Sequence, residues 1–451
     1  MSTKASIACN RFGLGATEGE ISRVSGDPEG WLSAQLESAA TNEFPGTDLR
    51  SSDVLLSDLM QARKERRRAQ QSGTEENTAK SMSRLVRGTI RKEVAARTMF
   101  GAQTSVPFHE RLARFWANHF TVAAKNPQTT IIVGAYEREA IRPHILGTFE
   151  DLALSAIFHP GMLIYLDNVQ SIGPNSRIGR RRDRGLNENL AREVLELHTV
   201  TPQSGYAQDD VTELARALTG WTVGNARFGD DNIGRAIFAD RLHETGTRRV
   251  LSNRYTDTGD AQATKIISDL CKSRYTAQHI AHKLAKHFTA DTPPSRLVDE
   301  LEMTFLETGG DLNSLYSVLI NAPEAWVATP QKVKTPDDLL TSTSRLMGIN
   351  AVFAGDPRSV FTSLAQQPFT APSPKGWSDS AEDWIGPDAL SKRIEWANRV
   401  ALRNQDIDAR TFLGNGLGAM VSEATAQAVA RAESPSQALT LALMSPDFQR
   451  R

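Results

Sequence analysis

The chain has 451 residues, with 52 basic and 53 acidic side chains and a formal net charge of −1. A nearly neutral protein has no overall field that would draw it to nucleic acid or to an anionic bilayer, so neither is expected as a partner. Hydrophobic residues at 39% and charged residues at 23% are typical of a globular protein and exclude collagen-like and largely disordered classes.

The first residues contain no apolar segment of the kind that a secretory signal needs. The apolar run 131–133 is broken by Gly134 and followed by charged residues, so no stretch approaches the roughly 20 residues that span a bilayer. Cys9 and Cys271 lie far apart and form neither a disulfide framework nor a CxxC motif. We therefore expect a cytoplasmic protein without membrane insertion, while export together with a partner stays open.

Helix-starting signals recur along the chain. A capping box near the start joins Thr17 and Glu20, and the segment 335–338 (TPDD) places a hydroxyl at the N-cap, proline at N1 and a carboxylate at N3. The same pattern begins again at Ser434-Pro435 near the end. The sequence predicts one helical unit over 1–451, mainly α, folded as a multi-helix globular bundle with long irregular loops.

Strand signals are scarce, and segments 235–238 and 249–251 give the best candidate for one small β-hairpin. Two stretches, 70–80 and 171–185, are polar or rich in Gly, Pro and Arg, and are predicted to be mobile loops. A third, 366–387, is predicted to be an irregular but packed loop, because its Trp377 and Trp384 would be costly to expose to water.

The densest polar pattern covers residues 187–221. A helix over 187–198 carries the polar row Glu188, Arg192 and Glu196, and a second helix over 209–220 carries Glu213 and Arg216 opposite its apolar side. One interpretation is solvated ion pairing, worth about 0.2–0.5 kcal/mol per pair. The other is a charged network that two helices turn toward a shared cleft, where carboxylates could hold a cation or act as acid and base.

Histidines supply the other candidate site residues. No HExxH, HxH or zinc-spaced His/Cys cluster occurs, so the sequence identifies no metal or cofactor. His279 and His282 are interpreted as surface residues, because Ile280 and Leu284 form the apolar side of their helix. The candidate catalytic residues are Arg192, Glu193, Glu196 and His198, and the candidate binding residues are His119, His159, Glu188, Glu213, Arg216 and Trp221.

At these residues the chain resembles a bacterial family known only as domain of unknown function 1800. The resemblance is carried by the stretches 10–16 (NRFGLGA), 115–120 (FWANHF), 159–167 (HPGMLIYLD), 187–198, 210–221 and 445–449 (SPDFQ). It implies a mostly helical single unit and a partner of alkaline-phosphatase-like fold, whose gene often lies beside genes of this family. The family often has histidine where this chain has Ala117, so no role for a paired histidine at 117 and 119 is carried over.

Two functional hypotheses follow. The first is an accessory or binding protein that works with a partner of alkaline-phosphatase-like fold and uses the pair of helices in 187–221 as part of a shared surface. The alternative is a hydrolase or metal-assisted enzyme with a Glu/His/Arg pocket on helices 187–198 and 209–220, in which Glu193 or Glu196 is a base or ligand, His198 an acid or base, and Arg192 an anion clamp.

Overall fold

A computed structural model describes residues 2–37, 44, 48–72, 75–181 and 185–451. The structure is 66% helical, with 22 α-helices and two small antiparallel sheets in the described part, so the prediction of a mainly α-helical fold is confirmed. Across those same ranges, no helix is both long enough and apolar enough to cross a bilayer.

The α-helices of the first half are α1 (Thr3–Ile7), α2 (Glu20–Val24), α3 (Pro28–Glu37), α4 (Ser52–Ser72), α5 (Glu75–Gln103), α6 (Pro107–His119), α7 (Pro127–Tyr136), α8 (Phe149–Phe158), α9 (Pro160–Tyr165), α10 (Asn189–Glu193) and α11 (Gln208–Leu218). Those of the second half are α12 (Asp260–Cys271), α13 (Arg274–Phe288), α14 (Ser295–Thr308), α15 (Leu312–Asn321), α16 (Pro336–Met347), α17 (Ile349–Val352), α18 (Pro357–Ser363), α19 (Pro387–Arg403), α20 (Ala409–Leu417), α21 (Glu423–Ala430) and α22 (Pro435–Met444). Wider π-helical turns lie at Ala8–Phe12, Glu137–Ile141 and Val194–His198.

Two of the predicted helix starts show the expected cap chemistry. At α16 the Thr335 side chain accepts a hydrogen bond from the Asp338 amide, and the Asp338 carboxylate accepts one from the Thr335 amide. The Ser434 hydroxyl accepts a hydrogen bond from Gln437 N at the start of α22. These side chains satisfy amide groups that a first helical turn leaves without partners, which is why the sequence pattern locates both helices.

The strands differ from the predicted hairpin. Strand β1 (Trp221–Val223) pairs with β2 (Ala236–Phe238), and β3 (Arg248–Val250) pairs with β4 (Asn253–Tyr255). The pairing predicted between 235–238 and 249–251 is therefore wrong. Leu251 and Ser252 both adopt positive φ, which forms a tight turn and returns the chain directly onto β3.

The three stretches that the sequence predicts to be irregular loops are only partly irregular in the structure. In 70–80, residues 70–72 end α4 and 75–80 begin α5, while 73–74 lie outside the described residues. In 171–185, a short 3-10 turn covers Gly179–Arg181, and 182–184 lie outside the described residues. In 366–387, the Trp384 indole is buried and donates a hydrogen bond to Ser378 O.

The buried apolar side chains form two clusters. The larger runs from Ala5 to Ala325 along the chain and includes Trp116, Phe149 and Tyr316. The smaller begins at Leu339 and is built from α16 to α22 and the turn at Phe448. Ion pairs and polar side chains lie where α16 meets α5 and α6, and there the fold leaves a cavity.

Candidate functional site

A cavity of about 550 Å³ lies between α6 and α13. One wall is the polar face of α6, the opposite wall is a face of α13, and the start of α16 closes one side. Residues 366–383, named here the roof loop, cover it. The charged and histidine side chains of its lining are Arg97, Arg111, Arg114, His119, Glu137, His279, His282, Lys283, Lys286, His287, Asp337, Asp338, Lys375, Asp379 and Asp383.

Helical periodicity explains why α13 presents so many polar groups to the cavity. Ile280, Leu284 and Phe288 are fully buried in the larger core cluster. Positions 279, 283 and 287 are also spaced by four residues, so their side chains share another face of the same helix. That face lines the cavity instead of meeting bulk solvent, which places His279 in the site. His282 also borders the cavity but is exposed.

On the α6 side, every arginine that lines the cavity has a carboxylate partner. Arg97 is 3.0 Å from Glu137 and 3.3 Å from Asp337, and Arg114 lies 3.1 Å from the same Asp337 carboxylate. Arg111 is 3.0 Å from Asp338. The positive charges of this wall are thus compensated within the protein.

A fully buried ion-pair network supports that wall from behind. Arg142 contacts Glu110 at 2.6 Å and Glu137 at 2.7 Å. Burial by itself would raise the pKa of Glu110, but Arg142 and Arg114 outweigh it and hold that pKa at about 2. The network joins α5, α6 and the π-turn after α7, and fixes the arginines that face the cavity.

On the α13 wall, the central contact is between Lys283 and His119. The Lys283 amine donates a hydrogen bond of 2.9 Å to His119 Nδ1. The other ring nitrogen, Nε2, lies 3.2 Å from the carbonyl oxygen of His198, so it carries the hydrogen and donates it. Burial lowers the pKa of His119 well below its ordinary value, so the ring is neutral. His119 is therefore fixed as an acceptor toward Lys283.

Unlike the arginines of the opposite wall, the two lysines of the α13 wall are not paired with a carboxylate in the described part of the chain. Among the described residues, no carboxylate oxygen lies within 4.0 Å of Lys283 Nζ or Lys286 Nζ, and the latter donates to Ser380 Oγ at 2.8 Å. Burial lowers the pKa of Lys283 to about 8. Burial also lowers the pKa of His279 to about 4, so this ring is neutral at pH 7.

The later half of the roof loop is attached at two positions, Trp377 and Asp379. Asn118 of α6 binds the backbone of Trp377 twice, accepting from its amide at 2.7 Å and donating to its carbonyl at 2.9 Å. Asp379 accepts a hydrogen bond from His287 Nδ1 at 3.2 Å and pairs with Lys332 at 3.4 Å. These contacts hold the roof loop across the cavity.

Gly376 makes the close approach to Asn118 possible. Its φ is +86°, and a Cβ there would lie 2.4 Å from the carbonyl oxygen of Asn118. We expect Gly376→Ala to lower the free energy of unfolding by about 2–4 kcal/mol, because it adds a backbone clash to the strain of a positive φ. Gly348→Ala is the matched control, since φ is +84° there but no atom lies within 4 Å of the added Cβ. Denaturant unfolding measures both, and equal losses would contradict the clash.

The structure brings together two of the sequence-predicted residues at the cavity. The rings of His119 and His198 lie 5.7 Å apart. His119 lines the cavity, and His198 lies fully buried behind it. Within the described ranges, neither ring nitrogen of His198 has a hydrogen-bond partner. Burial lowers the pKa of His198 to about 3, so the ring is neutral.

The acidic and arginine residues of α10 and α11 that were predicted as site residues do not line the cavity between α6 and α13. Arg192 pairs with Glu188 at 3.2 Å, and Glu188 also accepts a hydrogen bond from Thr212 of α11 at 2.8 Å, so this group joins the two helices. The Arg192 side chain is 41% exposed. Burial and the neighbouring Glu196 raise the pKa of the partly buried Glu193.

The remaining predicted residues occupy three other places. Glu213 pairs with Arg216, and both line a separate polar groove of about 980 Å³ between α11 and the β3–β4 hairpin. The ring of Trp221 stacks on that of Phe158, with centroids 4.2 Å apart. His159 is a capping residue of α9: its Nδ1 accepts from the Gly161 amide and its Nε2 donates to Glu139 at 2.9 Å.

Sequence reasoning did not select Lys283, Lys286, Asp379 or the cavity arginines. The repeated spacing of His279, Lys283 and His287 carried a signal, since one helix face with three basic groups can line a site as well as meet solvent. The other cavity residues come from distant segments and had no local signature. In the part of the chain that the structure describes, no three His, Cys, Asp or Glu side chains are grouped as ligands of a metal ion.

The fold and the cavity define a mainly α-helical protein with a roofed cavity between two helices, lined by both charged and apolar side chains. The chain belongs to the family described as "Protein of unknown function (DUF1800)", whose model matches residues 7–450. No curated protein and no solved structure matches the chain.

Proposed function

We propose that the protein binds a small anionic molecule in the cavity between α6 and α13. The observation that carries the proposal is the pair of amines on the α13 wall, Lys283 and Lys286, which line the cavity without a carboxylate in contact. Buried charges in proteins are ordinarily paired, because an isolated charge in a poorly hydrated place is costly. An anionic ligand would supply the missing partner.

The contrast between the two walls supports this assignment. Arg97, Arg111 and Arg114 each contact a carboxylate of the protein, so their charges are neutralised before any ligand arrives. The histidine nearest to Lys283 is a neutral acceptor that orients the amine without balancing its charge. The cavity-lining cations without a carboxylate in contact therefore include two neighbouring lysines of α13, and the anionic group of the ligand would bind there.

The lining also contains apolar surface beside these charges. Phe115, Phe369 and Trp377 contribute aromatic rings to the cavity, which is large enough for a metabolite-sized molecule. A ligand with an anionic head and an apolar or aromatic body fits such a lining. Binding at Lys283 and Lys286 would orient the head, and the rings would contact the body.

Ligand-dependent thermal unfolding tests the proposal. We expect carboxylates and phosphate to raise the melting temperature, and Lys283→Met with Lys286→Met to weaken binding at least about tenfold, since a hydrogen bond between charged groups contributes about 1.5–3 kcal/mol. The matched control is Lys265→Met, on the exposed face of α12 and paired with Asp269. Anion affinities unchanged by the double substitution, or lowered equally by the control, would refute the proposal.

Two sequence-based expectations stay predictions beside this one. A partner of alkaline-phosphatase-like fold is implied by the family resemblance, and co-purification from the native host tests it. The hydrolase or metal-assisted alternative on helices 187–198 and 209–220 is tested by metal analysis and by an activity screen of Glu193→Gln and His198→Ala.

A further inference from the structure

We propose that Lys283 captures a carbonyl group: it forms a Schiff base with an anionic carbonyl compound of the 2-oxo acid class held in the α6–α13 cavity. This inference rests on the proposed function, because the anionic group of the same ligand would bind to α13. It assigns a covalent role to Lys283 and an anchoring role to Lys286.

The surroundings of the Lys283 amine fit a nucleophile. The amine lies in the cavity wall, and its one hydrogen bond to a described residue is the 2.9 Å contact with His119 Nδ1. His119 Nε2 donates its hydrogen to the backbone carbonyl of His198, so the neutral ring carries no hydrogen on Nδ1. The ring therefore cannot donate a proton to the Lys283 amine. His119 thereby fixes one N–H of Lys283 and leaves the rest of the amine facing the cavity.

The electrostatic surroundings favour the neutral, nucleophilic amine. Asp379 is the carboxylate that acts on Lys283 from the roof loop, but it already contacts His287 and Lys332 and lies beyond ion-pair distance of the amine. Burial, and then the roof-loop cation Lys375, lower the pKa of Lys283 to about 8. At pH 7.5 roughly a quarter of such amines are neutral, against about 0.1% of ordinary lysines.

The step balances without a further reactant. The neutral amine adds to the carbonyl carbon, a C–N bond forms, and the carbonyl oxygen leaves as water with the two hydrogens of the amine. The imine that results takes up one proton from solvent to become the iminium. No oxidant or reductant is consumed, and hydrolysis of the imine restores the free amine.

The position of Lys286 suits a carboxylate next to the carbonyl. It follows Lys283 by three residues, so the two side chains lie on neighbouring positions of one helix face, with a rise of about 4.5 Å between them. Its amine donates to the Ser380 hydroxyl, a neutral group that does not compensate its charge. A 2-oxo acid presents its carbonyl and its carboxylate on adjacent carbons, and Lys286 lines the same cavity as Lys283, so it supplies a cation for that carboxylate on the same wall.

Reductive trapping tests the proposal on the full chain. The protein is incubated with pyruvate and cyanoborohydride at pH 7.5, digested, and searched by mass spectrometry for lysines that carry a carboxyethyl group. We expect Lys283 to be modified at least about tenfold faster than the exposed Lys265, and faster with pyruvate than with the uncharged ketone acetone. Modification spread evenly over the lysines would overturn the proposal.

The variant Lys283→Arg separates this inference from the proposed function. Arginine keeps the positive charge but forms no imine, so pyruvate should still raise the melting temperature while no adduct forms at position 283. If pyruvate stabilises the wild-type protein but leaves Lys283 unmodified, anion binding stands and the covalent role is refuted. If pyruvate, phosphate and other carboxylates all fail to stabilise it, the proposed function and this inference both fall.

Discussion

Arg142→Met is expected to lower the free energy of unfolding by about 3–5 kcal/mol. The Arg142 side chain is 1% exposed and donates hydrogen bonds to both Glu110 and Glu137. Methionine fills a similar volume but removes the cation that the two buried carboxylates share, leaving Glu110 with Arg114 and Glu137 with Arg97. This weaker compensation of two buried charges costs more than the lost packing, so the loss should be large for a single substitution.

Urea unfolding of the wild-type protein and two variants measures this effect. The matched control is Arg274→Met, because Arg274 pairs with Glu302 but its side chain is 79% exposed. An exposed pair contributes about 0–1 kcal/mol, so the control should change stability little. A loss in Arg142→Met as small as that of the control would show that the buried network does not stabilise the fold.

The same network predicts acid sensitivity. The pKa of Glu110 is about 2 in the folded protein, below its ordinary value of 4.5. A carboxyl group whose pKa falls on folding contributes stability that is fully present above pH 4.5 and is lost as the pH falls toward 2. Arg142→Met removes the main cause of that depressed pKa, so its stability should depend less on pH in this window than that of the wild-type protein.

Local sequence patterns predicted the start of a helix correctly where the interactions that start it lie within a few residues. The caps Thr335 and Ser434 satisfy amides within three residues, so the helices that they start could be predicted from sequence. The turn at Leu251 and Ser252 gave no such signal, because neither residue type is characteristic of positive φ. The hairpin was therefore assigned to the wrong pair of segments.

The cavity could not be assembled from the sequence, because its contacts join distant segments. Arg111 and Asp338 are 227 residues apart, and Lys283 and His119 are 164 residues apart. Periodicity identifies which residues of a helix share a polar face, but not whether that face meets water or another helix. His279 illustrates the difference, since the polar side of α13 lines a cavity.

Lys334→Met is expected to raise the free energy of unfolding at pH 7 by roughly 2–4 kcal/mol, by removing a buried charge. Lys334 is 1% exposed, and its amine donates to Ser342 Oγ at 3.1 Å and lies 3.9 Å from the Phe448 ring centroid. Among the described residues no carboxylate oxygen lies within 4.0 Å of this amine. The lost hydrogen bond and ring contact cost less than keeping the ammonium in a core that also holds Arg393.

The pH dependence of this gain identifies its cause. Burial lowers the pKa of Lys334 from 10.5 to about 7. The nearby Asp338 acts to raise this pKa, while Arg111, Arg451 and Arg393 act to lower it. Between pH 7 and 10.5 the unfolded chain binds the proton more readily than the folded protein, so wild-type stability rises with pH across this window. Methionine carries no proton, so the advantage of the variant should shrink as the pH is raised from 7 toward 10. A gain that stays constant over this range would mean that the substitution acts through packing and that Lys334 holds its proton in the folded protein.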